Sequence, residues 1–289
     1  MSEQIAYLNG DFLPLTEAKV SAQDRGFLFG DGIYEVIPVF QKKLFQLNAH
    51  LDRLRNSLNA VSIQDPYTDT QWETLLNDLI QKHPWDNQFV YLHVTRGVQL
   101  VRDHLPENNL KPTVYAYTNP LKPVADHILK HGIKAVTLED IRWLRCDIKA
   151  TTLLPNVMMK LAAKQQGADD AILIGRDQTI SEGTASNVFI VKDGVLHTPP
   201  LSNRILPGIT RMMIEKIALD HNIPLLEQQL FLADLETADE IWLTSSTKDA
   251  LPVCSLNNNT IGSGKPGPIW RKMQAYFEQT KQALMAAED

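Results

Sequence analysis

Apolar and polar residues alternate on both sides of Asn9-Gly10 in "IAYLNGDFLPL", which predicts two short strands joined by a tight hairpin turn. "FLFGDGIYEVIPVF" predicts a glycine-rich turn followed by a strand. Leu51, Leu54 and Leu58 recur at helical spacing with Arg53 beside the stripe. Thr70 and Glu73 match a capping box ahead of Trp72, Leu75, Leu76, Leu79 and Ile80, so a second helix is expected there. "NQFVYLHVTRG" and "PTVYAYT" have the β-branched and aromatic content of strands. The pattern then lapses at "NPLKPVAD", Asn119 to Asp126, the best candidate for a linker.

Beyond that point strands dominate. "IKAVTLEDIRWLRCDIK" reads as extended, and Pro155 leads into a helix whose apolar stripe is Val157, Met158, Leu161 and Ala162, with Gly167 placed to end it. Two hairpins are expected, turning near Gly175 and at Asp193-Gly194. "LPGITRMMIEKIALDHN" is a helix reached through Pro207-Gly208, with Ile209, Met212, Met213 and Ile217 on one face. "EIWLTSST" is a strand running into a hydroxyl-rich loop, and a final helix begins at Pro268. The expected class is α/β (α+β) in two domains, 1–120 and 121–289.

Composition narrows the functions. A net charge of −6 with no basic block argues against nucleic acid as a partner. Cys146 and Cys254 are too few for a disulfide framework or a Cys-built zinc site, and the histidines show no metal-ligand spacing. The first residues lack a basic segment followed by an apolar one, and no apolar run is long enough to span a bilayer. A cytoplasmic setting is therefore expected.

Five places could carry chemistry. A lone lysine after a strand is ordinarily a solvated side chain, but Lys149 follows Ile141, Trp143, Leu144 and Ile148, and desolvation makes an amine a usable nucleophile. Glu182 stands at the mouth of a strand, where a carboxylate could hold a heterocyclic nitrogen protonated. In "RILPGITR" the amides of Ile209 and Thr210 open a helix, a natural anion site. The hydroxyls of "TSST", Thr244 to Thr247, and the Arg53 guanidinium could add phosphate donors. Each signal is weak alone.

In order along the chain, "GDGIYEV", "HLDRL", "RCDIK", "SEGTASNVF", "ILPGITR" and "IGSGKPGP" resemble the motif series of the class IV aminotransferases, the fold-type IV pyridoxal-phosphate enzymes. The likeness runs from about Tyr7 to the last helix. It implies an N-terminal α/β sandwich domain and a strand-rich, barrel-like C-terminal domain carrying the Schiff-base lysine. It also implies a homodimer and pyridoxal 5′-phosphate joined to Lys149. By the same resemblance Glu182 pairs with the pyridine nitrogen, Arg53, Ile209, Thr210 and Ser246 bind the phosphate with Ser245 beside them, and Leu206 packs on the ring.

The family includes D-amino-acid and branched-chain L-amino-acid aminotransferases and aminodeoxychorismate lyases. Arg102 and His104, with one residue between them, resemble the carboxylate trap of the D-amino-acid enzymes, which works with a tyrosine matching Tyr34 and reaches in from the partner subunit. The spacer from Gly97 to Arg102 is one residue longer than in those enzymes, and Val101 stands where they have proline. The activity expected from the resemblance is transfer of an amino group between a D-amino acid and a 2-oxo acid.

Overall fold

The computed structural model describes residues 4–287; the first three residues of the segment read for a secretion signal lie outside the described residues. The chain divides into two compact units, one comprising Met1–Lys122 with Ile148–Leu153, the other Pro123–Asp147 with Leu154–Asp289. Lys149, expected among residues 121–289, is thus held by contacts of the first unit.

The first unit is built on a six-stranded antiparallel sheet. β1 (Ile5–Leu8) and β2 (Asp11–Pro14) form the hairpin at Asn9-Gly10, and β1 continues into β6 (Thr113–Pro120), β5 (Gln88–Thr95), β3 (Gly32–Phe40) and β4 (Lys43–Leu44). Between β2 and β3 lies a short helix, α1 (Arg25–Phe29), closed by Gly30 in the left-handed region at φ 66°. Two longer helices, α2 (Leu47–Ala60) and α3 (Asp69–Gln81), pack on the sheet. Ile33, Ile37 and Val39 of β3 meet Leu51, Leu54 and Leu58 of α2 and Leu75, Leu76 and Leu79 of α3 in one core. The cap of α3 falls two residues earlier than expected. Thr68 and Gln71 form the capping box, and Tyr67 packs edge-on against Trp72, ring centroids 4.8 Å apart. That contact staples the residue before the cap to the fourth residue of the helix, which fixes the start at Asp69.

The second unit carries a nine-stranded half-barrel sheet. Its order is β12 (Leu225–Glu227), β11 (Val195–Thr198), β10 (Asn187–Lys192), β13 (Glu240–Ser245), β14 (Asp249–Leu256), β7 (Ile133–Glu139), β8 (Asp170–Ile174) and β9 (Ile180–Gly183), with β15 (Asn259–Thr260) on β14. Helix α4 (Asp126–His131) precedes β7, α5 (Leu154–Gln165) precedes β8, α6 (Ile209–Asp220) follows β11, and α7 (Leu232–Glu236) precedes β13. The last helix, α8 (Pro268–Ala287), begins where expected.

Three expectations fail here. The strand of "IKAVTLEDIRWLRCDIK" stops at Glu139, because Asp140 and Arg142 turn inward to pair rather than continue a ladder. Helix α5 buries Met159 and Ala163 against Val136, Ala171 and Leu173, while Val157, Met158 and Leu161 face outward. In α6 the buried face includes Ile214 and Ala218, and Met212 is exposed. Among the described residues no helix is long and apolar enough to cross a membrane.

Leu54 is fully buried in the first unit's core, so Leu54→Ala is expected to cost about 3 kcal/mol through lost contacts and the cavity left behind. Urea unfolding followed by tryptophan fluorescence checks this; a loss below about 1 kcal/mol would mean that α2 does not anchor the sheet.

Candidate active site

In the first unit, β3 carries residues on two faces by its period-two geometry. Ile33, Ile37 and Val39 enter the core, and Glu35 shares their face with no exposure at all. An ionised carboxylate there needs partners. Arg53, on the buried side of α2, supplies a fork: Nε donates to Oε1 at 2.8 Å and Nη2 to Oε2 at 2.7 Å. His50, a turn earlier, lies 2.8 Å from Oε2 through Nδ1. Burial pushes Glu35 upward, but Arg53 and His50 outweigh it and hold the carboxyl well below its usual range. Burial, with Arg53 and Lys149 nearby, lowers His50 despite Glu35. A neutral His50 donates from Nδ1 and leaves Nε2 buried with no hydrogen-bond partner among the described residues.

The opposite face of β3 presents Tyr34. The segment holding Lys149 lies along this strand: the Tyr34 amide donates to the Lys149 carbonyl at 3.0 Å, and Ala150 bridges Ile33. The Lys149 amide donates to Ser57 Oγ of α2 at 3.2 Å, and the Thr151 amide donates to the Gly32 carbonyl at 3.0 Å. The lysine backbone is therefore fixed from both directions. Its Nζ sits 4.2 Å from the centre of the Tyr34 ring and pairs with no carboxylate among the described residues. Such an amine is half-buried, positioned and uncommitted.

Arg102 and His104 lie on the loop after β5. Both are exposed, and both rest on Phe29, whose ring is 4.8 Å from the Arg102 guanidinium carbon and 5.5 Å from the His104 ring. The structure brings this pair together; it records no contact between either residue and Tyr34 or Lys149.

The second unit gathers the remaining candidates around one asparagine that the sequence reading passed over. Glu182 of β9 is buried. Its Oε2 accepts from the Leu206 amide at 2.9 Å and from Asn187 Nδ2 at 3.2 Å, while Oε1 pairs with Arg142 Nη1. Asn187 Nδ2 also donates to the Leu206 carbonyl at 2.9 Å, so Leu206 is tied on both sides. Arg142 is shared with Asp140, Nε and Nη2 lying 2.9 and 2.8 Å from its carboxylate. Burial raises Glu182 above the ordinary carboxyl value, and Arg142 and the Leu206 amide only partly oppose it. The group is a buried carboxylate with heightened affinity for a shared proton.

Asn187 also faces the start of α6. A side chain at Gly208 would strike Asn187 Oδ1 at 2.1 Å, which only glycine avoids. The cap residue, Gly208, offers no side-chain bond, so the Ile209 and Thr210 amides open the positive end of the helix. Asn187 pairs with Thr244 across β10 and β13, whose end carries Ser245 and Ser246, both half-buried. Thr244 Oγ1 is buried with no hydrogen-bond partner among the described residues. Glu182, Leu206, Ile209 and Thr210 are thus brought together through Asn187, with the serine-bearing strand end next to it. Arg142 and Glu35 were also passed over. Glu35 had a legible signal, a charge at an inward position of an alternating strand.

A carboxylate, an open helix end and hydroxyls in one unit, with an uncommitted lysine in the other, coincide with a family match. The family of class IV amino-transferases matches residues 32–256. The chain belongs to that family. It is 41% identical over 273 residues to D-alanine aminotransferase of Staphylococcus aureus strain N315, covering 94% of this chain and 96% of that one. To D-alanine aminotransferase of Bacillus licheniformis it is 38% identical, covering 94% and 95%. Among solved structures, the branched-chain amino acid aminotransferase of Escherichia coli superimposes with a TM-score of 0.91 at 25% identity, covering 96% of this chain and 94% of that one. A second branched-chain amino acid aminotransferase, from T.th. and solved with pyridoxamine 5′-phosphate, superimposes at 0.90 and 22% identity over 96% and 94%, a likeness of fold.

Glu35→Gln removes the carboxylate that holds two Arg53 donors, at an expected cost of about 3–5 kcal/mol at pH 7. Because the folded state holds Glu35 ionised below its usual range, its contribution is present above the unfolded value near 4.5 and lost as pH falls through the folded value. The stability gap between wild type and Glu35→Gln should therefore narrow below about pH 4.5. Urea midpoints measured from pH 7 to pH 3 check the sign, and a gap independent of pH would contradict it.

Proposed function

We propose that the protein is a pyridoxal 5′-phosphate-dependent D-amino-acid aminotransferase. It moves the amino group of a D-amino acid such as D-alanine to a 2-oxo acid such as 2-oxoglutarate, giving pyruvate and D-glutamate. The observation that carries this reading is the near full-length identity to D-alanine aminotransferases, on a chain that keeps Lys149, Glu182 and the Arg102/His104 pair.

The residues present fit the cofactor. An amine without a carboxylate partner suits covalent attachment to an aldehyde, a buried carboxylate suits a pyridine nitrogen, and an uncapped helix end with nearby hydroxyls suits a phosphate. When bound, this group supplies a ring that delocalises the charge left as the Cα proton departs. We assign attachment to Lys149, whose Nζ, with no carboxylate partner among the described residues, would also serve as the base that takes the proton from the substrate Cα. Glu182 would hold a proton at the ring nitrogen, its proton affinity raised by burial and only partly opposed by Arg142. Ile209, Thr210, Ser246 and Arg53 would bind the phosphate, with Ser245 a further donor, and Leu206 would pack on the ring. Arg102, His104 and Tyr34 clamp the substrate carboxylate, charge-assisted donors being suited to that task.

We further propose a homodimer in which the Arg102 loop serves the second subunit. Exposed Leu100, Val101 and Leu105 on that loop and Val157, Met158 and Leu161 on α5 are the kind of apolar surface a subunit contact covers. A cytoplasmic setting suits the two free, buried cysteines. A branched-chain L-amino-acid reading draws on likeness of fold and gives the Arg102/His104 pair no task. A lyase would release pyruvate from aminodeoxychorismate without an acceptor.

The colour of the bound cofactor reports the half-reaction. D-alanine should bleach it with release of one pyruvate, and L-alanine should do so at least about 100-fold more slowly. Equal bleaching by the L-enantiomer would contradict the assignment. Arg102→Ala should raise KM for D-alanine about 10- to 100-fold, the worth of one charge-assisted hydrogen bond, with cofactor retained.

A further inference from the structure

The loop that carries Arg102 and His104 has no helix or regular strand, only an isolated bridge of Val98 to Asp24, and little apolar anchorage of its own. Leu100, Val101 and Leu105 are 75%, 70% and 77% exposed. Its shape is set instead by two polar side chains that are almost completely buried, Arg25 of α1 and Gln99, each 4% exposed.

Arg25 uses every edge of its guanidinium. Nε donates to Asp31 Oδ2 at 2.8 Å, Nη1 to Gln99 Oε1 at 3.2 Å and to the Asp103 carbonyl at 2.7 Å, and Nη2 to the His104 carbonyl at 2.9 Å. Gln99 completes the frame. Its Nε2 donates to the Val101 and Leu105 carbonyls at 3.0 and 3.4 Å, and its Oε1 accepts from the Glu107 amide at 3.1 Å. Four carbonyls between Val101 and Leu105 are thus received by two side chains. Asp31, which orients Arg25, is itself held by Arg96 at 2.7 and 2.9 Å. The Arg25 guanidinium also lies 4.8 Å from the centre of the Phe29 ring on which Arg102 and His104 rest.

Fixing a carbonyl fixes its peptide plane, and with it the direction of the adjoining Cα–Cβ bonds. We propose that Arg25 is the positioning residue of substrate recognition: it aims Arg102 and His104, and so sets the affinity for the substrate carboxylate without touching the substrate, with Gln99 as its second arm. This rests on the carboxylate-clamp reading of Arg102 and His104. A lysine cannot replace Arg25 here, because one ammonium point charge cannot hold Asp31, Gln99 and two carbonyls in a planar fork.

The test uses the pyridoxal-phosphate-loaded enzyme and the variants Arg25→Lys, Gln99→Ala, Arg102→Ala and Arg25→Lys/Arg102→Ala. Arg25→Lys should raise KM for D-alanine about tenfold with kcat within about twofold, a misaimed clamp rather than damaged chemistry. Gln99→Ala should act in the same direction, and covers the case in which Arg25→Lys does not fold. In the double variant the Arg25 change should add little to the Arg102 effect, since both act through one interaction. Amide exchange at residues 98–107 should quicken in Arg25→Lys while that of α2 and β3 stays unchanged. Additive KM effects, a fall in kcat alone, or unchanged loop exchange would each overturn the proposal. If Arg102→Ala itself leaves KM unchanged while loop exchange in Arg25→Lys still quickens, the clamp reading fails rather than the frame, and the role of Arg25 in recognition falls with it.

Discussion

An ionised side chain can be buried only where opposite charge and hydrogen bonds replace the water it has lost. Both units meet that constraint with the same device, a carboxylate gripped by a guanidinium from a neighbouring segment. In the first unit Glu35 is dominated by Arg53 and His50 and stays ionised. In the second, Glu182 shares Arg142 with Asp140, and burial keeps the upper hand. The two carboxylates therefore have opposite proton affinities. One is a fixed structural charge, and the other is poised to share a proton.

The placement of Lys149 follows from the first of these pairs. Glu35 draws α2 onto β3 through Arg53 and His50, and α2 supplies the Ser57 hydroxyl that receives the Lys149 amide. β3 in turn supplies the Tyr34 amide that donates to the Lys149 carbonyl. The lysine is thus seated on the same strand and helix that the buried ion pair joins. Its side chain is left to the Tyr34 ring, and that combination of fixed backbone and uncommitted amine is what a covalent attachment point requires.

Much of this was legible in the chain, for identifiable reasons. Asn9-Gly10 and Asp193-Gly194 announced hairpins because both residues of such turns take positive φ, as both pairs do here. Leu51, Leu54 and Leu58 were readable as core because α2 buries a single stripe. The start of α3 was misplaced because Thr68-Gln71 and Thr70-Glu73 satisfy the same capping pattern, and only the Tyr67–Trp72 contact separates them. Helix α5 misled because it carries two apolar arcs, and hydrophobicity does not say which one faces the unit's own core. Arg142 and Asn187 were invisible as site residues because the contacts that place them there, Arg142 with Glu182 and Asn187 with Leu206, join segments 40 and 19 positions apart. Glu35 should have been seen, since a charge in the inward register of β3 demands a buried partner.

The central assignment is the covalent one, that the amine at position 149 carries the cofactor. Borohydride reduction of the loaded enzyme followed by peptide mapping tests it most directly. A phosphopyridoxyl label on the peptide containing Lys149 is the expected result, and its loss from Lys149→Arg should be complete. A label on any other lysine, or no stable label at all, would contradict the assignment.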